Sequence, residues 1–204
     1  MSLNSYIAKQ FGKPAGLGGK LVSAIMNHQN RPIYNETIRL LSLTASDRVL
    51  DIGCGNGYVL ALLARQYRCT FAGIDISKSI IQAASRRNRM FVRNGRMAFS
   101  CQNASDMSFP DSTFSKAYTI NTVYFWDNIE NTMAEIRRVL QPDGVFLNTF
   151  YSNETLSRLS HTQFGYKRYS VEELSGAGMR AGFMVNVQPI LHGVAYCLIY
   201  QRNG

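Results

Sequence analysis

From residue 48 onwards, hydrophobic positions follow two rhythms that alternate along the chain. Short apolar runs such as RVLDI (48–52) and TFAGID (70–75) have the length and aliphatic content of buried strands. Between and after them lie stretches with helical spacing, YVLALLARQY (58–67) and IIQAASRRNRMFV (80–92). Because strands and helices alternate, the pattern predicts a parallel sheet covered by helices on both faces.

The next part of the chain continues this alternation. MAFSC and KAYTI are predicted strands, and a helix is predicted from about Ile129 to Leu140. Asp127 and Glu130 have the spacing of a capping box at the start of that helix. The Pro142-Asp143-Gly144 turn then leads into a strand, VFLNTFY.

The C-terminal part predicts a hairpin. Ser170 and Glu173 form another capping-box pattern, which opens a helix ending near Gly182. Two apolar runs follow, FMVNVQPI and VAYCLIYQ, separated by His192-Gly193. A short turn with glycine between two such runs predicts an antiparallel pair at one edge of the sheet.

The N-terminal 45 residues differ from the rest. A glycine-rich segment, GKPAGLGG (12–19), precedes an amphipathic stretch from Leu21 to Leu41 that Pro32 interrupts. We predict a helical arm or lid over residues 1–45 and an α/β core over residues 46–204. Both belong to one predicted domain, because 204 residues bury one substantial core but are short for two.

Composition limits the partners and the compartment. The formal net charge of +9 favours an anionic partner, which nucleic acid, a membrane surface or an anionic small molecule would all satisfy. No stretch approaches the roughly 20 apolar residues that span a bilayer, and no signal peptide is evident. Scattered cysteines without close pairs predict reduced thiols, no metal site and a cytoplasmic protein. These cysteines are Cys54, Cys69, Cys101 and Cys197.

A basic run follows the second predicted strand. It lies on and just after a predicted surface helix and comprises Arg86, Arg87, Arg89, Arg93 and Arg96. We expect a solvated face, with an anion-binding or nucleic-acid-binding patch as the alternative.

The segment VLDIGCGNG (49–57) carries the most informative chemistry. It runs from a strand through a glycine-rich turn into a helix, where backbone amides and the helix N-terminus favour negative charge. Its spacing is G-x-G-x-G, whereas nicotinamide dinucleotides are bound by G-x-G-x-x-G. Asp51 precedes the first glycine, and a carboxylate there suits the ammonium and sulfonium of S-adenosylmethionine.

Asp75 ends the next strand, about twenty residues beyond the glycine loop. A carboxylate at this position accepts hydrogen bonds from both ribose hydroxyls of an adenosine. Dinucleotide-binding folds also place an acid here, so Asp75 alone leaves both ligand classes open.

Together these segments resemble the class I S-adenosylmethionine-dependent methyltransferases. The similarity extends to Asn103-Ala104, to FPDSTF (109–114) and to RVLQPDG (138–144). The N-terminal Met26-Asn27 and the segment NTVYFW (121–126) resemble more narrowly a set of short bacterial methyltransferases of unassigned substrate, similar to the type 11 methyltransferases. The resemblance implies a Rossmann-like three-layer sandwich, with a mostly parallel seven-stranded sheet and an antiparallel C-terminal hairpin strand.

The resemblance also implies where the cofactor lies. The glycine loop would surround the methionine moiety, Asp75 and Ile76 the ribose and adenine, and Asn121 the methionine end. The family usually has aspartate where Asn103 stands, so its bond to the adenine amino group would be neutral and weaker. The expected cofactor-binding residues are Asp51, Gly53, Cys54, Gly55, Asp75, Ile76, Asn103, Ala104 and Asn121.

Aromatic residues after the fourth predicted strand are candidates for the acceptor site. We expect substrate contacts from Tyr124, Trp126, Tyr151 and Tyr166, with core packing as the alternative for each. Asn121 and Tyr124 have the spacing of the Asn-Pro-Pro-Tyr motif of base-amino methyltransferases but lack both prolines. His161 is the best of three weak candidates for a general base, and no catalytic residue is predicted.

The sequence therefore predicts in-line methyl transfer from S-adenosylmethionine, leaving S-adenosylhomocysteine. The expected acceptor is an O, N, C or S nucleophile of a small molecule, anionic or aromatic. Three alternatives stay open: a regulatory module that binds the cofactor without turnover, a nucleotide-dependent oxidoreductase, and a nucleic-acid methyltransferase. The last is disfavoured because so short a chain leaves no room for a separate target-recognition domain.

Overall fold

The computed structural model describes residues 27–159, 162 and 165–204, so predictions for residues 1–26 and for His161 lie outside the described residues. The helices are α1 (Arg31–Leu41), α2 (Tyr58–Gln66), α3 (Lys78–Arg87), α4 (Arg89–Arg93), α5 (Ile129–Val139), α6 (Asn153–Ser157) and α7 (Val171–Arg180). The strands are β1 (Arg48–Ile52), β2 (Thr70–Asp75), β3 (Met97–Cys101), β4 (Phe114–Ile120), β5 (Leu140–Tyr151), β6 (Phe183–Ile190) and β7 (Ala195–Arg202). Short 3-10 turns lie at Val123–Phe125 and Leu191–Gly193.

The seven strands form one sheet in the order β3-β2-β1-β4-β5-β7-β6. The pairings among β3, β2, β1, β4 and β5 are parallel. β7 runs antiparallel to both β5 and β6. The predicted mostly parallel sheet with an antiparallel C-terminal hairpin is confirmed, and β6 is the edge strand of that hairpin.

Consecutive strand residues face opposite layers of the sandwich, as the pleat of a strand requires. Val49 and Leu147 belong to one apolar cluster, whereas Leu50 and Phe146 belong to another. Buried residues of α1, α2 and α3 complete the first cluster. Buried residues of α5 and α7 complete the second, so helices cover both faces of the sheet.

Helix α1 lies within the predicted N-terminal arm but packs directly on the sheet. Pro32 occupies its first turn, where a missing backbone N–H leaves no helical bond broken. Ile33 and Leu41 are buried, and Thr37 Oγ1 lies 3.0 Å from Thr149 Oγ1 of β5. This part of the arm therefore contributes to the core; the division at residue 45 remains a prediction.

The structure corrects two helix predictions. The single helix expected over residues 80–92 breaks at Asn88, which has φ −102° and ψ 20° and separates α3 from α4. The N-cap of α5 is Asn128 rather than Asp127, because the extended Asn128 accepts a hydrogen bond from the Asn131 amide. The capping box of Ser170 and Glu173 at α7 is confirmed.

The predicted turn at residues 142–144 lies inside β5 as an irregularity. Between Leu140 and Val145 the pairing with β4 advances only from Phe114 to Lys116. Asp143 has φ 59°, a left-handed conformation that aspartate tolerates better than most residues. The turn is therefore formed, and the strand continues beyond it.

Candidate active site

A cleft opens at the carboxyl ends of β1 and β4, where the strand order reverses direction. The chain proceeds from β1 to β2 and β3 on one side and returns to β4 on the other. Such reversal points are where open α/β sheets bind ligands. All nine predicted cofactor-binding residues line this one cleft: Asp51, Gly53, Cys54, Gly55, Asp75, Ile76, Asn103, Ala104 and Asn121.

The glycine loop between β1 and α2 has left-handed backbone conformations that residues other than glycine rarely adopt. Gly53, Gly55 and Gly57 have φ of 74°, 51° and 69°. A Cβ on Gly53 would lie 2.4 Å from Thr122 Cγ2, so the loop also packs tightly against the segment after β4. A Cβ on Gly55 would meet no protein atom within 4 Å, which leaves this side of the loop open for a ligand.

Asp51 places a carboxylate in the deepest part of the cleft. Its side chain is 4% exposed, and Tyr118, its partner across the parallel strand pair, donates a hydrogen bond of 2.7 Å to Oδ2. Burial raises the pKa of Asp51 to about 7, the Tyr118 hydrogen bond opposes this rise, and the charge of Asp75 adds to it. A cationic group in the cleft would stabilise the charged form.

Asp75 links β2 to the glycine loop. Its Oδ2 accepts a hydrogen bond from the Gly55 amide at 3.2 Å, and its Oδ1 accepts one from the Ser77 amide at 2.9 Å. Burial raises its pKa, whereas the two amide bonds oppose that rise. Each carboxylate oxygen keeps a second lone pair for a hydroxyl donor in the cleft.

The outer part of the cleft combines an apolar side chain with an amide. Ile76 is 50% exposed, although it lines the cleft, so a flat apolar ligand could cover it. Asn103 is exposed, and its Oδ1 accepts a hydrogen bond from the Ser105 amide at 3.1 Å. Ala104 packs against the core beside it.

Asn121 stands at the end of β4 in a left-handed conformation with φ 58°. Its amide donates to the Thr149 carbonyl at 2.9 Å, which fixes the turn after the strand. The Asn121 side chain connects the turn after β4 with the N-cap of α1. Its Oδ1 accepts a hydrogen bond from Tyr124 Oη at 3.3 Å, and its Nδ2 donates one to Asn30 Oδ1 at 3.5 Å. Tyr151 Oη also donates to Asn30 Oδ1, at 2.9 Å.

The N-terminal helical segment supplies lining residues that sequence analysis missed. Asn27, Asn30 and Tyr34 all face the cleft. Tyr34 Oη donates to Asn27 Oδ1 at 3.5 Å, and burial raises the pKa of Tyr34 to about 12. Only Tyr34 lies within α1, whereas Asn30 is the N-cap of this helix and Asn27 precedes it, so spacing along one helix does not reveal the group. The other missed lining residues include Tyr58, Gln102, Thr122 and Asp127.

The four predicted substrate residues occupy different surroundings. Trp126 lines the cleft, although its side chain is only 7% exposed. Tyr124 is 2% exposed and accepts a hydrogen bond of 2.7 Å from the Tyr151 amide, so its ring packs in the core. Tyr151 borders the cleft through its bond to Asn30, and the Tyr166 ring centroid lies 5.3 Å from that of Tyr124. Only Trp126 of the four faces the cleft directly.

The described part of the chain contains no group of three or more His, Cys, Asp or Glu side chains that could hold a metal ion. None of the described helices is long and apolar enough to cross a membrane. His28 and His192 do not line the cleft. Cys54, Cys69 and Cys197 are buried and Cys101 is exposed, all as free thiols.

Comparisons with known proteins agree with this geometry. Residues 49–144 match the family described as "Methyltransferase domain". YrhH of Bacillus subtilis, which is named as a methyltransferase, is 32% identical over 124 residues, covering 60% of this chain and 68% of that protein. The fatty-acid O-methyltransferase of Mycolicibacterium smegmatis is 29% identical over 125 residues, covering 61% and 44%. The chain spans less than half the length of several curated relatives that it matches.

A solved structure shows the same fold. The chain resembles one from a complex between a Haloferax volcanii methyltransferase activator and a methyltransferase, with a TM-score of 0.80, 18% identity and full coverage of both chains. The fold and the cleft at the strand-order reversal thus define an α/β ligand-binding enzyme scaffold. With its glycine loop and the similarity to YrhH, the chain belongs to the class I S-adenosylmethionine-dependent methyltransferases.

Proposed function

We propose that the protein transfers a methyl group from S-adenosylmethionine to a small-molecule acceptor. The observation that carries this proposal is that Asp51 and Asp75, which accepts a hydrogen bond from the Gly55 amide, line one cleft with an open glycine loop. Asp51 is placed to bind the ammonium, the loop amides the carboxylate, and Asp75 the ribose hydroxyls. Ile76, Asn103 and Ala104 would hold the adenine.

The chain's own residues mainly position and shield the reactants. S-adenosylmethionine supplies a methyl group on a sulfonium, and attack by the acceptor breaks the carbon–sulfur bond and leaves its electron pair on S-adenosylhomocysteine. Asn30, Tyr34 and Asn121 would surround the methyl end with polar groups, and Trp126 would exclude water. Because no histidine lines the cleft within the described residues, an acceptor that arrives with a free lone pair or already deprotonated suits it best.

The acceptor is proposed to be small, with an anionic or aromatic part. Tyr34, Tyr58, Phe125 and Trp126 provide aromatic wall along the cleft. The net charge of +9 attracts anions. The Mycolicibacterium relative is named for methylating fatty acids, which supports an anionic acceptor with an apolar body. A cytoplasmic location is part of the proposal and is supported by the four free thiols.

A ligand series tests the cofactor. At about one hundred times its dissociation constant, a ligand adds about 2.7 kcal/mol of stability, which raises the melting temperature of a chain of this size by roughly 5 to 10 °C. We expect this rise with S-adenosylmethionine and S-adenosylhomocysteine and none with NAD or NADP. A rise with the dinucleotides alone would favour an oxidoreductase and contradict the proposal.

Asp75→Ala tests the position of the adenosine. We expect affinity for S-adenosylhomocysteine to fall at least roughly tenfold in calorimetric titration, because charge-assisted hydrogen bonds are lost. Asp106→Ala, at an exposed carboxylate outside the cleft lining, is the matched control and should bind as the wild type does. Turnover is tested separately by S-adenosylhomocysteine formation with a panel of carboxylate, phenol, thiol and amine acceptors. Binding without turnover across this panel would favour a regulatory module.

A further inference from the structure

One exposed surface of the molecule is positively charged without any intervening acid. Between Asp75 and Asp106 the chain contains no aspartate or glutamate. Four arginines in this interval, on α3 and α4, are exposed. Together with Met90 they define what we call the arginine surface: Arg86, Arg87, Arg89, Met90 and Arg93.

The charges of the arginine surface are not neutralised within the fold. None of its four arginines forms an ion pair in the described part of the chain, unlike Arg138, which pairs with Glu135 and Asp111. The nearby Arg96 differs, because it is half-buried and its guanidinium donates to the backbone carbonyls of Ala64 in α2 and Cys69 after α2. Arg96 therefore has a structural role, whereas the four exposed arginines are accessible to an external partner.

An apolar side chain projects from the middle of these charges. Met90 is 75% exposed, the highest value among the large hydrophobic residues of the described chain, and Val92 beside it is 36% exposed. Helix α4 carries no buried residue. Phe91 packs against the core, whereas Met90 and Val92 are exposed and would be stabilised by moving from water into another apolar phase.

The arginine surface borders the cleft. The Arg87 guanidinium lies 5.7 Å from the centroid of the Tyr58 ring, and Tyr58 lines the cleft. Asn88, between α3 and α4, donates a hydrogen bond of 3.0 Å to the Gly57 carbonyl at the end of the glycine loop. A partner bound to the arginine surface would therefore lie next to one wall of the cleft.

We propose that the arginine surface docks the protein on a lipid bilayer that contains anionic lipids. Arginines would contact the headgroups, and Met90 would enter the boundary between headgroups and acyl chains. A bilayer fits better than RNA, because single-stranded RNA is held by stacking on exposed aromatic rings, whereas the apolar residues that project here are Met90 and Val92. This proposal goes beyond methyl transfer and does not depend on it.

Vesicle flotation with the full chain tests the docking. We expect binding to vesicles of phosphatidylcholine mixed with phosphatidylglycerol, none to phosphatidylcholine alone, and weakening with salt. Each arginine near the surface contributes roughly fivefold, so Arg89→Gln with Arg93→Gln should lower partitioning at least roughly tenfold. Met90→Asp should also lower it strongly, because a charge replaces the inserted side chain.

Matched variants elsewhere on the molecule control for charge and exposure. Met179→Asp makes the same change at a methionine of α7 that is 59% exposed, and Arg158→Gln with Arg168→Gln removes the same charge from another exposed region. Both controls should bind vesicles as the wild type does. Equal loss in controls and test variants, or no binding to the anionic vesicles at low salt, would overturn the proposal.

Two further measurements distinguish docking on lipid from nucleic-acid binding and from the proposed methyl transfer. Binding of a single-stranded RNA oligomer at salt where anionic vesicles do not bind would assign the arginine surface to nucleic acid and overturn docking on lipid. The thermal shift with S-adenosylhomocysteine should be unchanged in every variant. Its absence in the wild type, with vesicle binding intact, would contradict the proposed function alone.

Discussion

At the scale of single residues, the cleft depends on a carboxylate that the fold withdraws from water. Asp51 is buried, and that burial raises its pKa to about 7. Near neutral pH the protonated and charged forms of its carboxyl are therefore both populated. The hydrogen bond of 2.7 Å from Tyr118 favours the charged form. Tyr118 therefore acts as a positioning residue in the proposed cofactor site, because its hydrogen bond favours the charged, oriented Asp51 carboxylate that is proposed to bind the ammonium.

Tyr118→Phe tests this role. The variant removes one hydrogen bond to the charged carboxylate, so we expect affinity for S-adenosylhomocysteine at pH 7 to fall roughly tenfold and to recover partly as the pH rises. Titration calorimetry between pH 6 and 9 measures both effects. Affinity for 5′-methylthioadenosine, which lacks the ammonium and the carboxylate, should not change. An equal loss for both ligands would show that the phenylalanine merely disturbs the cleft.

Replacing Asn103 with aspartate should raise affinity for S-adenosylhomocysteine. Its side chain accepts a hydrogen bond from the Ser105 amide, and an aspartate would keep that bond while adding charge toward the adenine amino group. We expect Asn103→Asp to bind S-adenosylhomocysteine roughly fivefold more tightly, because charge-assisted bonds are about twice as strong as neutral ones. Asn94→Asp, at an exposed asparagine outside the cleft lining, is the control and should have no effect. Unchanged affinity in Asn103→Asp would place the adenine elsewhere.

At the scale of elements, the glycine loop after β1 packs tightly against the segment that follows β4. Gly53→Ala would force a side chain into a backbone with φ 74° and against Thr122 Cγ2 at 2.4 Å. Gly95→Ala meets the same backbone strain, with φ 75°, but nothing within 4 Å. Urea unfolding should therefore show about 1 to 2 kcal/mol of destabilisation for Gly95→Ala and about 1 to 3 kcal/mol more for Gly53→Ala.

A second substitution distinguishes steric contact from strain. Thr122→Ser removes Cγ2 and keeps the hydroxyl that contacts Thr119. Combined with Gly53→Ala, it should restore most of the additional loss of stability. If the double variant is no more stable than Gly53→Ala, the loop rather than the contact determines the cost.

Most strands and helices of the fold could be predicted from the sequence. Alternating apolar runs identified the strands and most helices, because burial on both faces of a parallel sheet leaves a clear pattern. The break at Asn88 was missed because it depends on a distant partner: the Asn88 side chain donates to the Gly57 carbonyl, 31 residues away. Asn27, Asn30 and Tyr34 were missed for a similar reason, since nothing local shows that this segment lines the cleft.

The positions of the motif residues in the cleft were predictable from sequence, whereas those of the aromatic substrate candidates were not. Asp51 and Asp75 lie at the carboxyl ends of β1 and β2, and Asn121 directly follows β4, so the topology brings them to one edge and their grouping was predictable. Tyr124 follows the same strand, yet its hydrogen bond with the Tyr151 amide draws it into the core. A side chain a few residues beyond a strand end can point to either side, and sequence spacing does not decide which.

At the scale of the whole molecule, the cleft reduces the stability of the fold that forms it. Asp51 is 4% exposed and its pKa is raised from 3.8 to about 7. Between these two pH values the folded state binds more protons at Asp51 than the unfolded chain does. Raising the pH through this window therefore removes stability, by at most about 1.4 kcal/mol per pH unit from one carboxyl, and the contribution is complete only below pH 3.8.

Asp51→Asn should therefore be more stable than the wild type above pH 7 in the absence of ligand, because an uncharged amide replaces the buried carboxylate and still accepts the Tyr118 hydrogen bond. Urea unfolding at pH 5 and pH 8 measures this difference, which should be larger at pH 8. Asp106→Asn makes the same substitution at an exposed carboxylate outside the cleft lining and is the control. The same Asp51→Asn protein should lose the thermal shift with S-adenosylmethionine, because the charge that destabilises the empty cleft is the charge that binds the ammonium. A variant that gains no stability at pH 8 would mean that water already reaches Asp51 and that its carboxylate is charged at little cost.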